Sequence, residues 1–356
     1  MNRKISAILI TGALMSAGSA HAFKNPVTIE AQGSFTAGGS TITRSGDFSN
    51  PLSEAGQTIH GDHAYVFWQK PVNARKFPLV FLHGAASSGQ VWETTPDGRD
   101  GYQNIFLERG YSTYIIDQPR RGRAGKATVD GSIKAFASEQ TTFNVGRLGI
   151  WPETFPNVQV SFDAEAWEQH FRNSTPNTGA FDAGMISDAV AKVFDRSGEA
   201  ILVTHSQGGG VGWLVAMKTS KVRAIVSYEP GSGFVFPEGE VPETMESTSP
   251  FGALSGEAIP FEDFMKLTKI PILIFYGGNI PEEISDNWGQ DNWRVRLKMA
   301  RLWVETVNRH GGDARLIHLP ELGIDGNTHS LFADLNNEKL ADIQEEWLHE
   351  KNLDVK

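Results

Sequence analysis

Ser206 is the side chain whose setting is best suited to nucleophilic chemistry. It follows the run Ala200-Ile201-Leu202-Val203-Thr204-His205 and precedes Gln207-Gly208-Gly209-Gly210-Val211-Gly212-Trp213. The run reads as a strand buried on both faces, and the residues beyond the glycines read as a helix. A serine on so tight a strand-to-helix turn projects its hydroxyl where a base can reach it. The helix start beside it offers N–H groups and partial positive charge to a developing oxyanion. The usual spacing is Gly-x-Ser-x-Gly; here Thr204 holds the first position, so the turn must open slightly or pack the methyl outward. The glycine run does not have the Gly-x-Gly-x-x-Gly spacing of a dinucleotide loop, and it lacks that loop's early position in the chain and its downstream acid.

A serine hydroxyl needs an imidazole to take its proton and return it to the leaving group. Of the ten histidines, His329 stands in the loop Gly326-Asn327-Thr328-His329-Ser330 that follows the last expected strand. The others have plainer readings. His21 falls in a leader, His83 positions backbone, His205 adjoins the serine with its side chain directed elsewhere, His310 ends a helix and His318 lies in a strand. No aspartate follows the strand that ends at Gly277-Gly278-Asn279, and Glu282, Glu283 and Asp286 come late, on what reads as a solvated acidic turn. Glu229 ends the preceding strand at the same sheet edge, and its extra methylene suits a position one strand away. The spacing therefore favours Ser206 as nucleophile, Glu229 as acid and His329 as base. The oxyanion donors would be the backbone N–H groups of Gln207 and of Ala85, the latter just after the strand 77–82 and His83-Gly84.

The elements that must carry these groups alternate. Strands are expected over 63–69, 77–82, 111–116, 200–205, 222–228, 270–276 and 314–319. Helices are expected over 102–109, 182–194, after Ser206, over 293–309, and through Glu345 and Trp347 at the end. Such alternation predicts an α/β fold with a mostly parallel central sheet flanked by helices. A short hairpin is expected across Gly33–Ser40. Two stretches, about 124–178 and 232–267, break the alternation and read as cap insertions. The first holds Phe136, Phe143, Trp151, Phe155, Phe162, Trp167 and Phe171, which either shape an apolar pocket or pack the insertion on itself. Asp117 reads as a loop-holding aspartate, and Arg120, Arg121 and Arg123 as partners of local carboxylates.

Arg3 and Lys4, the apolar stretch 5–17 and Ala20-His21-Ala22 predict a cleaved leader over 1–22, with a single domain over 23–356 exported to the periplasm or beyond. The full chain carries 32 Lys and Arg against 42 Asp and Glu. Without Arg3 and Lys4 the balance is 30 against 42, a formal charge of −12. This excess of acid disfavours nucleic acid and anionic membrane surfaces as partners. There is no cysteine, hence no thiol chemistry. No metal-ligand pattern is present and no cofactor is implied.

Several stretches resemble a group of exported bacterial esterases within the α/β-hydrolase superfamily whose triad acid follows strand six. They are His83-Gly84 with Trp92-Glu93-Thr94-Thr95-Pro96-Asp97-Gly98-Arg99, Gly110-Tyr111-Ser112-Thr113-Tyr114, Thr204-His205-Ser206-Gln207, Ala224-Ile225-Val226-Ser227-Tyr228-Glu229-Pro230-Gly231 and Gly326-Asn327-Thr328-His329. The resemblance implies the α/β-hydrolase fold, a triad of Ser206, Glu229 and His329, an oxyanion hole after His83-Gly84, a small-molecule ester as partner, and a homodimer. Where the best-known member has two adjacent cysteines, this chain has Ala85-Ala86, which leaves the backbone donors intact. The expected activity is carboxylic ester hydrolysis through an acyl-enzyme. Amidase, lactonase or polyester hydrolase activity would use the same groups, and a binding protein on an inactive hydrolase fold is the non-enzymatic alternative.

Overall fold

Eight strands form one sheet. They are β1 (Ile29–Ala37), β2 (Ala64–Pro71), β3 (Leu79–Leu82), β4 (Thr113–Asp117), β5 (Ala200–His205), β6 (Val222–Tyr228), β7 (Pro271–Tyr276) and β8 (Asp313–His318). Their spatial order is β1-β2-β4-β3-β5-β6-β7-β8. The pairs β1/β2 and β2/β4 are antiparallel, and every other pair is parallel. The computed structural model describes residues 26–356, so the expected leader over 1–22 lies outside the described residues.

The continuous apolar runs of the central strands follow from burial on both faces. In β3, Leu79 and Phe81 enter one core while Val80 and Leu82 enter the other; β5 repeats this with Ile201 and Val203 against Ala200 and Leu202. One core is covered by α1 (Tyr102–Glu108) and α8 (Asn337–Glu350), through Ile105, Phe106, Leu340 and Trp347. The other is covered by α4 (Ala183–Ser197), α5 (Gln207–Lys218) and α7 (Trp288–Arg309), where Trp213 stacks on Trp303 with centroids 4.4 Å apart. Because β5, β6 and β7 run parallel, the residues that follow them emerge at one edge of the sheet.

Insertion 124–178 contains α2 (Glu139–Val145) and α3 (Ala164–Arg172) around a small core of Phe143, Leu148 and Val158. Phe155, Trp167 and Phe171 pack on that core, whereas Phe136 and Phe162 are exposed. Stretch 232–267, which ends in α6 (Phe261–Leu267), sends Phe234, Val235, Phe236, Leu254, Phe264 and Leu267 into the core under α5 and α7. The hairpin expected across Gly33–Ser40 is not formed. Ile29–Ala37 is one continuous edge strand with strictly alternating exposure. Gly33 stands opposite Trp68, where a Cβ would lie 3.3 Å from the indole Nε1; it admits a ring rather than a turn. Ser40–Thr43 instead pairs with Thr58–Gly61. No described helix is long and apolar enough to cross a membrane.

Candidate active site

Ser206 joins β5 to α5 with φ 54° and ψ −122°. A side-chain-bearing residue in that region is strained, and neighbouring hydrogen bonds impose the geometry. Ser206 N–H donates to Tyr228 O (3.0 Å), and Ser206 O accepts from Gly209 N (2.9 Å) and Gly231 N (3.0 Å). Thr204 is accommodated from across the turn. Its Oγ1 donates to Ser227 Oγ (2.8 Å), and its methyl occupies the space that a Cβ at Gly212 would need, 2.8 Å away. The smallness usually supplied before the serine is here supplied by the helix. The other glycines of the run also serve packing: a Cβ at Gly208 would meet His83 O at 2.7 Å, and one at Gly209 would meet Pro230 Cβ at 2.6 Å.

Glu229 follows β6 with φ 45° and is fully buried. Its Oε2 lies 2.7 Å from His329 Nδ1, and its Oε1 accepts from Gly277 N (2.7 Å). Arg147, also fully buried, closes a two-pronged contact: Nη1 to Oε2 at 2.9 Å and Nη2 to Oε1 at 2.5 Å. Burial works to raise the Glu229 carboxyl. The Arg147 guanidinium and then His329 outweigh it, bringing the pKa down to about 2. The bond to Glu229 puts a proton on Nδ1 of His329 and leaves Nε2 as the basic nitrogen. Burial lowers the His329 pKa, Glu229 opposes that shift, and Arg147 and Arg296 add to it. Trp293 packs on the imidazole with centroids 4.0 Å apart. A Cβ at Gly231 would stand 3.5 Å from Ser206 Oγ and 3.7 Å from Trp293 Cη2, so this glycine keeps open the space between hydroxyl and indole.

The sequence profile of the alpha/beta hydrolase family matches residues 79–342. The chain belongs to that family. This hydrolase is similar to a protein named "Probable secreted lipase phiG" from a fungal species (strain ATCC 74256), with 26% identity over 326 residues, 81% of this chain and 86% of the other. It is also similar to the solved structure of a novel bacterial esterase, with 30% identity, a TM-score of 0.73, and coverage of 92% of this chain and 97% of that one.

Other candidates in the hydrolase fall into place around this centre. Glu282, Glu283 and Asp286 are exposed before α7. Gln207 begins α5, and Ala85 lies exposed at the mouth of the loop after β3. Asp117 holds its loop as expected, accepting from Gly89 N, Arg123 N and Arg123 Nε. Arg120 pairs with Asp62 and Arg123 with Asp117, but Arg121 has no carboxylate partner among the described residues; it bonds Gly84 O, Asn177 Oδ1 and Gln207 Oε1. The expectation for His205 is also corrected. Its ring lies beside His329, centroids 4.4 Å apart, and its Nε2 donates to His329 O (3.0 Å). The carbonyl can only accept, so Nε2 carries the proton and burial keeps the ring neutral.

Sequence reasoning missed Arg147 and Trp293. The only signal for Arg147 was a basic residue amid the aromatics of the insertion, and no local spacing links it to Glu229. The same insertion grips the histidine loop: His329 N donates to Gly146 O (2.9 Å) and Gln159 N to Gly326 O (2.9 Å). From the opposite side, Asp334 accepts from Thr328 N and Thr328 Oγ1 (both 2.7 Å) and from Asn327 Nδ2 (2.8 Å).

Proposed function

We propose that this chain is an exported serine carboxylesterase in which Ser206, His329 and Glu229 act as nucleophile, base and acid. The observation that carries the reading is the 2.7 Å bond between His329 Nδ1 and the buried Glu229 carboxylate, at the sheet edge where Ser206 holds a strained strand-to-helix turn. The two relatives, one called a lipase and one an esterase, support ester hydrolysis as the reaction, and the word "secreted" in the first supports export.

In this reading His329 Nε2 takes the hydroxyl proton while Ser206 Oγ bonds to the ester carbonyl carbon. The N–H groups of Ala85 and Gln207 hold the resulting oxyanion. Collapse breaks the bond to the alcohol oxygen, which leaves with the proton from His329. A water then gives its proton to His329 and attacks the acyl carbon, and the acid departs as Ser206 recovers its hydrogen. Glu229 keeps the imidazole oriented and stabilises its charged form. Insertion 124–178 acts as a cap. With the histidine loop it lines a small cleft in which Leu148, Val160 and Trp167 face Asp97, Arg99 and Asp334; the cleft adjoins the His329 loop through Thr328 and Ser330 and does not include the triad side chains.

Hydrolysis of a chain-length series of p-nitrophenyl esters, set against the matching p-nitroanilides and a lactone, tests the substrate class. The reading expects turnover of the esters with a preference among acyl lengths. Faster cleavage of the anilides or the lactone would replace it with one of the alternatives sharing the same groups.

A further inference from the structure

We propose that Arg121 is a positioning residue for the oxyanion hole, tying its two backbone donors into one unit; this rests on the esterase reading above. The Arg121 side chain is buried in the loop after β4. Nη1 donates to Gly84 O at 2.5 Å, Nη2 donates to Gln207 Oε1 at 2.9 Å, and Nε donates to Asn177 Oδ1. These three acceptors come from the loop after β3, the first residue of α5 and the end of the insertion.

Peptide geometry converts the first contact into an orientation. The Gly84–Ala85 peptide is planar and trans, so its C=O and N–H point in opposite directions. The carbonyl is fixed by Arg121, by Ser87 Oγ (3.1 Å) and by His83 Nδ1 (2.9 Å). His83 Nε2 accepts from Gln118 N (3.0 Å), so Nδ1 carries the ring proton and donates. Burial holds the His83 pKa down to about 4, keeping that ring neutral at pH 7. With its carbonyl anchored on the far side, the peptide turns Ala85 N–H the other way. Gly84 meanwhile packs so close to the turn that a Cβ there would lie 2.7 Å from Ser206 Cβ.

The second contact holds Gln207, whose own N–H is the other donor. A single planar guanidinium thus sets the separation of the two donors, a role that suits arginine's rigid fork and that a lysine's point charge cannot reproduce. Burial draws the Arg121 pKa down to about 10, which leaves it charged at neutral pH. Ala86, where the backbone turns at φ 49°, gives its carbonyl to Thr175 N (3.0 Å), so the insertion steadies the same loop a second time.

The test compares wild type with Arg121→Gln, Arg121→Lys and Asn177→Ala, normalising kcat to the sites titrated by a chromogenic phosphonate. Arg121→Gln is expected to lower kcat per titrated site on the order of tenfold to a hundredfold with KM within about twofold. Affinity for a trifluoromethyl ketone, which forms a charged hemiketal on serine, should fall in parallel with kcat/KM. Arg121→Lys should recover only part of the loss. Asn177→Ala, which leaves the guanidinium in place, should show a smaller loss in the same direction, so the test does not depend on the glutamine variant folding. A variant that merely folds less well would lose titratable sites but keep kcat per site, and that result would overturn the proposal. So would an Arg121→Gln enzyme matching wild type while Ser206→Ala is inactive. If Ser206→Ala instead kept full turnover, the esterase reading beneath would fall first.

Discussion

Replacing Arg147 with methionine probes the most highly charged buried contact of the site. The substitution keeps an unbranched apolar stem and removes the guanidinium that is bonded to both oxygens of Glu229. Three routes give the size of the effect. Opposite unit charges about 4 Å apart at an effective dielectric of about 20 attract by ~4 kcal/mol. Stranding one member of a buried ion pair costs about 3–5 kcal/mol. The Glu229 pKa, opposed by burial but brought down chiefly by Arg147 from 4.5 to about 2, corresponds to roughly 3 kcal/mol at neutral pH. The sign follows from linkage. A carboxyl depressed in the folded state contributes stability in full above its unfolded value near 4.5, and the contribution is lost as pH falls toward 2. Urea unfolding at pH 7.5 should therefore place Arg147→Met about 3–5 kcal/mol below wild type, with the gap narrowing between pH 4.5 and pH 3. Adding Glu229→Gln should recover most of the loss at pH 7.5, because a neutral amide needs no counter-charge. An Arg147→Met protein within about 1 kcal/mol of wild type at pH 7.5, or a double variant less stable than the single one, would refute this reasoning.

Two further outcomes are expected. Burial and the neighbouring cations lower the His329 pKa, so the acid limb of kcat/KM should be centred below the ordinary histidine value of 6.5, and it should move to higher pH in Arg147→Met; a limb at or above 6.5 in wild type, measured with a neutral ester, would contradict this. Gly212→Ala should cost about 1–3 kcal/mol in urea unfolding, because its Cβ meets the Thr204 methyl at 2.8 Å. Thr204→Ser in the same chain should remove most of that cost, and a double variant as unstable as Gly212→Ala would contradict the packing reason given for Thr204.

The sheet was legible because each central strand is a short apolar run ended by a turn signal, and β6 was expected over the same residues it occupies, Val222–Tyr228. Helix α7 begins five residues before its expected start. Trp288-Gly289-Gln290-Asp291-Asn292 lacks helical apolar periodicity, yet Asn287 Oδ1 caps it by accepting from Gly289 N and Gln290 N. Glu229 and His329 could be singled out because each ends or follows a strand at one sheet edge, where chain order alone restricts the choice. Arg147 could not, since its contact with Glu229 exists only once the insertion has folded back across the sheet. His205 was misread for a related reason. Its ring follows the alternation of β5 onto the face of Ile201 and Val203, against Trp92 and Phe332, and the loop carrying His329 reaches that face only once the chain has folded.

The central claim is that Ser206 is the group that bonds to substrate. Intact-mass and peptide mapping after treatment with a serine-directed phosphonate measures this most directly. The account predicts one adduct per chain, carried on Ser206, with no adduct and no ester turnover in Ser206→Ala. An adduct on another residue, or undiminished hydrolysis by Ser206→Ala, would contradict it.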